Sequence, residues 1–166
     1  MDDEKRARLY KVAILPITNQ FVILLEDIDG KRLLPIFIGR SEGESILIKL
    51  QNMELPRPIT HDLIVNLFGA FNIYLKKVVV TDLKDNTYFA ELTLITNGKE
   101  IIVDARPSDA IAIAIRTGAE IYISKRVFDK CPNVPKPISQ EEVEDFKTKL
   151  ENLNPTDFFK DLNEES

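Results

Sequence analysis

The chain has 166 residues, with 22 Lys and Arg against 27 Asp and Glu. Its formal net charge of −5 excludes the broad basic footprint that drives non-specific nucleic-acid binding. Its length suits one domain with an appendage, and no apolar run approaches the ~20 residues of a membrane-spanning helix. The charged N-terminus lacks the apolar segment of a signal peptide, and a lone Cys131 permits neither an intrachain disulfide nor a thiolate zinc cluster, so a reducing cytoplasm is expected.

After a charged leader, residues 10–17 and 21–26 read as strands, and Asp29-Gly30 marks a tight hairpin turn into a third strand over 32–38. Residues 41–52 follow with helical apolar spacing (Ile46, Leu47, Leu50) and acids in the first turn. Leu55-Pro56-Arg57-Pro58 cannot continue that helix and makes a rigid elbow. Thr60 suits the N-cap of a helix over 61–71. Three further strands span 75–83, 87–96 and 100–104, the last two joined at Asn97-Gly98.

The next stretch, Val103-Asp104-Ala105-Arg106-Pro107-Ser108-Asp109-Ala110, is the densest in chemistry. Pro107 is pre-set for a first helical turn, Asp109 falls at the third helical position, and Gly118 suits the left-handed residue that ends a helix. That helix is apolar nearly all round and must be buried. A short strand over 120–124 and a helical turn over 125–130 complete the domain.

Two strands, a Gly turn, another strand and a helix occur twice in this order, with Arg40 before the first helix answering Arg106 before the second. Such a duplication would pair two half-sheets and bring both helix N-termini to a shared cleft. The fold expected is α+β: a bent, largely antiparallel sheet of about six or seven strands around the helix after Pro107. A proline-rich spacer from Cys131 to Pro137 sets a boundary between residues 1–131 and a tail over 132–166. In the tail, Ser139 and Glu142 form a capping box, and Val143, Phe146, Leu150 and Leu153 stripe a charged helix. Val143, Phe146 and Leu150 are expected to dock on the core or on a second subunit. Phe158, Phe159 and Leu162 form a last apolar cluster.

Three polar knots fall at element junctions: Gly39-Arg40-Ser41-Glu42, Arg57-Pro58-Ile59-Thr60-His61-Asp62 and Asp104-Ala105-Arg106-Pro107-Ser108-Asp109. Each pairs arginine and carboxylate at a helix start, where free N–H groups favour anions. Phosphate handling needs these parts: guanidinium forks for oxygens and acids for a divalent cation. The same residues also serve as ordinary caps and ion pairs. No G-x-S-x-G elbow, phosphate loop or H-E-x-x-H is present.

Four blocks carry a family resemblance: Leu34-Pro35-Ile36-Phe37-Ile38-Gly39 with Glu42, Pro56-Arg57-Pro58-Ile59-Thr60-His61-Asp62-Leu63, Thr87-Tyr88-Phe89-Ala90-Glu91-Leu92, and Val103 to Ala110. In order and spacing, over about residues 10–130, they resemble the bifunctional nuclease (BFN domain) family. Phe37 stands where that family commonly has Trp, and Gly43 where it has Ala. The resemblance implies a small α+β domain, DNase and RNase activity on DNA or RNA, and a homodimer.

Metal-dependent phosphodiester cleavage is therefore the leading expectation, with Mg²⁺ or Mn²⁺ held by Glu42, Asp62, Asp104 and Asp109. His61, if exposed in the cleft, would act as general acid or base beside Asp62, Asp104 and Asp109. Arg57 and Arg106 would grip phosphate, with Arg40 and the Ser108 hydroxyl as further substrate contacts. Two other readings stay open: a regulatory module that binds a small anion or nucleotide without turnover, and a structural oligomerisation domain.

Overall fold

The computed structural model describes residues 3–158. An antiparallel meander, β1 (Glu4–Ile14), β2 (Phe21–Asp27) and β3 (Arg32–Ile38), leads into α1 (Arg40–Leu50) and α2 (Thr60–Ala70). A second meander, β4 (Tyr74–Lys84), β5 (Thr87–Thr96) and β6 (Lys99–Ala105), leads into α3 (Pro107–Thr117). β7 (Glu120–Ser124), α4 (Lys125–Lys130), β8 (Val134–Pro135) and α5 (Gln140–Glu151) follow.

One eight-stranded sheet results, in the order β6-β5-β4-β7-β1-β2-β3-β8. Only the β4–β7 pair is parallel, so the fold is α+β with a largely antiparallel sheet. β7 sits between the two meanders, pairing β1 on one side and β4 on the other. The helix that ends each meander therefore starts from one flank of the sheet, at β3 or at β6. The two starts nevertheless meet, because Arg106 before α3 bonds Glu42 in α1 across the helix-bearing face.

α3 is the centre of the core: Ala110, Ile111, Ala112, Ile113 and Ala114 are all buried. Its alternating Ala and Ile pattern is compatible with a strand, but Pro107 at the first helical position and Gly118 at φ 76° bound it as a helix. Every residue of β2 is buried, because both its faces are covered. Phe21, Ile23 and Leu25 join the main core under the helices, while Val22 and Leu24 join a second core with Leu15, Leu33 and Leu150. The tail helix α5 thus packs on the sheet face opposite α3 through Phe146 and Leu150, with Leu153 just beyond its end. Val143 is exposed rather than docked. Of the tail's last apolar cluster, Phe158 packs edge-on to Phe37 at 5.6 Å, whereas Phe159 and Leu162 lie outside the described residues.

Two expectations need correction. The charged leader is part of β1, because Lys5 pairs with Asp27, Arg6 with Glu120 and Arg8 with Glu26 across neighbouring strands. Asp29-Gly30 belongs to a longer connection over residues 28–31, held by the Asp27 carboxylate, which accepts from the Asp29 N–H at 3.1 Å. By contrast Asn97 and Gly98 take φ of 50° and 69°, as a two-residue hairpin turn requires.

Candidate anion-binding cleft at three helix N-termini

The first turns of α1, α2 and α3 line one cleft of about 330 Å³, through Glu42, Thr60, His61, Arg106 and Asp109 among others. Each helix carries its acid at the same place, the third helical residue: Glu42, Asp62 and Asp109. Three positive dipole ends and a guanidinium thus gather in a chain of net negative charge.

Arg106, the residue before α3, ties two of these acids together. Its Nε donates to Asp109 Oδ2 at 2.8 Å and its Nη2 to Glu42 Oε1 at 2.7 Å. These bonds raise the guanidinium pKa, with Asp109 the larger cause. The side chain is otherwise well exposed, so a further face of the fork meets solvent.

Behind Asp109 runs a buried relay. His61 bonds Asp109 Oδ1 through Nε2 at 2.8 Å and Ser45 Oγ through Nδ1 at 2.6 Å. Arg116 Nη2 donates to Ser45 Oγ at 2.9 Å and to the Ser45 carbonyl at 3.0 Å, and Arg116 Nε donates to Asp62 Oδ1 at 2.8 Å. Arginine has no acceptor, so the Ser45 oxygen accepts from Arg116 and its own proton goes to His61 Nδ1. That leaves the His61 proton on Nε2, donated to Asp109; the tautomer is assigned from this network.

Asp109 is held below the usual carboxylate range: partial burial pushes its pKa up, and the hydrogen bonds from Arg106 and His61 outweigh it. Asp62 is also lowered, chiefly by Arg116, and its other oxygen accepts from the Ile59 N–H at 3.1 Å. Ile59, not Thr60, is the residue capping α2, and Asp62 supplies the side-chain cap from within the helix.

His61 borders the cleft, but it is buried with both ring nitrogens taken, so neither is free to meet a substrate. The remaining expected site residues lie apart. Asp104 is exposed on β6, opposite Glu91 and Val79, on the sheet face away from α3. Arg40 pairs with Glu44 of its own helix at 2.8 Å. Ser108 is buried and lines a neighbouring space of about 290 Å³, which Arg106 also borders. Arg57 lies in a separate cleft with Asp62 and Arg116. Ser45 and Arg116 were not anticipated, although Arg116 is the one charge between Ala110 and Gly118 in an apolar helix, a position that demands a buried partner.

Among the described residues no group of three or more His, Cys, Asp or Glu side chains is arranged to hold a metal. Glu42 and Asp109 alone of the expected carboxylates line the same cleft; Arg106 occupies one oxygen of each, and His61 bonds the other oxygen of Asp109. This donor set suits Mg²⁺ only in its usual enzyme mode, with one or two carboxylates and the oxygens of a bound phosphate. Nor, among the described residues, is any helix long and apolar enough to cross a membrane.

Residues 23–136 match the Bifunctional nuclease domain. The chain is similar to an uncharacterised protein of Mycobacterium tuberculosis, 40% identical over 149 residues that cover 84% of this chain and 89% of that protein. It is also similar to Bifunctional nuclease 1 of Oryza sativa subsp. japonica, 30% identical over 112 residues, covering 66% of this chain and 34% of the rice protein. Bifunctional nuclease 2 of Arabidopsis thaliana is 31% identical over 110 residues, 64% of this chain and 33% of the plant protein. The matched region carries all three converging helix starts, with Glu42, His61, Arg106, Asp109 and Arg116, and the chain belongs to the bifunctional nuclease domain family.

Proposed function

We propose that the protein hydrolyses phosphodiester bonds of DNA or RNA in the cleft around Arg106. The observation that carries this reading is the convergence of three helix N-termini on one guanidinium, itself backed by an ionised Asp109. A phosphoryl group entering the cleft meets the open face of Arg106 and the free N–H groups of the helix starts, which offset charge on its non-bridging oxygens. Asp109 is ionised at neutral pH and takes a proton from the attacking water as the water oxygen bonds phosphorus. The P–O bond to the leaving sugar oxygen breaks, and that oxygen takes a proton from solvent. Its depressed pKa makes it a weak base, so modest turnover is expected. His61 does not exchange protons with substrate: it holds Asp109 in place, and Ser45 and Arg116 hold His61.

Mg²⁺ or Mn²⁺ is proposed at Glu42 and Asp109, where it would supply charge neutralisation and an acidified water. A cytoplasmic homodimer is part of the same proposal, the dimer resting on the family resemblance and checked by light scattering. The test is cleavage of single-stranded and duplex DNA and RNA by nuclease-free protein, with Mg²⁺, Mn²⁺ or EDTA. Activity abolished by EDTA supports the metal pair, and activity that persists in EDTA removes it.

A second reading, a regulatory module that binds an anion without turnover, is favoured by one observation: Glu42, Asp62 and Asp109 are all already engaged by arginines. It predicts saturable phosphate binding and no cleavage under any of these conditions.

A further inference from the structure

On the far side of the relay lies another cleft, of about 340 Å³. Ile48 borders both clefts, and the consecutive residues His61 and Asp62 divide between them: His61 lines the first, Asp62 the second. The wall between the two is therefore the Ser45–His61 and Arg116–Asp62 layer itself.

The second cleft is chemically distinct. Lys49, in the last turn of α1, and Arg57, in the proline elbow, both line it. Among the described residues neither side chain makes a hydrogen bond or an ion pair. Arg116 neutralises Asp62 in the same cleft, so Lys49 and Arg57 leave two uncompensated positive charges there, on a chain of net charge −5. Pro56 and Pro58 flank Arg57 and fix the elbow, so the guanidinium is offered from stiff backbone. Beside these cations the cleft presents Met53 and Leu55, both exposed, and the Asn66 amide.

We infer that this cleft is a nucleotide subsite: Lys49 and Arg57 take a phosphate, and Met53 and Leu55 take the face of its base. A lone inorganic anion would use the cations and leave the apolar side wet, whereas a nucleotide uses both. The subsite deepens the proposed function and rests on it for its role, which is to hold the nucleotide next to the scissile phosphate at Arg106. Its binding chemistry does not depend on cleavage.

The chain contains two methionines, which gives a direct probe. With methyl-¹³C-methionine labelling of the full chain, the Met53 signal is assigned by Met53→Leu, and AMP, adenosine and inorganic phosphate are titrated in turn. The subsite predicts a saturable Met53 shift with AMP, weaker binding of phosphate, and none of adenosine. Arg57→Ala and Lys49→Ala should each weaken AMP about tenfold or more, the effect of one charge-assisted hydrogen bond. Arg106→Ala should leave the Met53 titration within about twofold, since Arg106 does not line this cleft. No saturable Met53 shift, an adenosine shift equal to that of AMP, or a titration indifferent to both Arg57→Ala and Lys49→Ala overturns the subsite. Wild-type protein that never cleaves yet gives the predicted shifts refutes the hydrolase reading and leaves the subsite standing. Cleavage without any Met53 response refutes the subsite alone.

Discussion

His61 Nε2 lies 2.8 Å from Asp109 Oδ1 and joins the second residue of α2 to the third of α3. The bond sets the side-chain position of Asp109 from behind, while Arg106 holds it from the solvent side. Since His61 is itself fixed by Ser45 and Arg116, the orientation of a half-buried carboxylate is decided by buried groups one hydrogen bond further in.

Arg116 should therefore matter for folding as much as for the cleft. Its side chain is only 4% exposed and donates to Asp62, Ser45 and the Ala112 carbonyl. Arg116→Met leaves the Asp62 carboxylate without its guanidinium and takes a donor from the buried Ser45 hydroxyl, and a loss of about 2–4 kcal/mol is expected by urea denaturation. Arg116→Lys should recover little of it, because an ammonium cannot reproduce the three-way fork. A change below about 0.5 kcal/mol in Arg116→Met would show that the relay contributes nothing to stability.

Gly43 offers a test of packing. A Cβ built there would run into the ring of Phe21, and both residues are buried. Gly43→Ala, the residue that the family commonly has, should cost about 1–3 kcal/mol here. Adding Phe21→Val makes room, so the double variant should be more stable than the sum of the single effects predicts. Strict additivity would contradict the clash.

Acid stability should report Asp82. This nearly buried carboxylate accepts from Lys130 Nζ at 2.6 Å and from the Leu83 N–H, with Lys84 and Arg126 close by. The Lys130 bond leads in bringing its pKa from 3.8 down to about 2. A carboxylate with a lowered folded-state pKa contributes fully above its unfolded value and loses that contribution as pH falls through the folded one. Thermal midpoints should thus drop between pH 3.8 and about 2. Asp82→Asn should be less stable near neutrality and flatter across that window. An unchanged slope would remove Asp82 from the acid transition.

Punctuation made much of this fold legible. Pro107 and Gly118 bounded α3 against its strand-like alternation, and Asn97-Gly98 placed a hairpin. The start of β1 was hidden, because its charges find partners on β2 and β7 that no local pattern reveals. In the cleft, Glu42, His61, Arg106 and Asp109 were visible as polar residues at helix starts, while Asp104 was not separable from them by type. Strand alternation separates it: Ala105 packs against the main core, so counting back one residue puts Asp104 on the opposite sheet face. Ser45 carries no signal of its own, being an ordinary small helix residue until His61 is brought against it from sixteen positions away.

Hydrolysis at Arg106 and Asp109, as proposed, makes the loss of either separable from the loss of Asp104. Nuclease-free wild type, Arg106→Ala, Asp109→Asn and Asp104→Asn are assayed side by side on single-stranded RNA and DNA, after melting curves confirm that each is folded. Arg106→Ala and Asp109→Asn should each lose about 10²- to 10³-fold in rate, the scale for removing one preorganised charge-stabilising group. Asp104→Asn, on the other sheet face, should stay within about twofold of wild type. Equal losses in Asp104→Asn and Asp109→Asn, or full activity in Arg106→Ala, would contradict this assignment of the site.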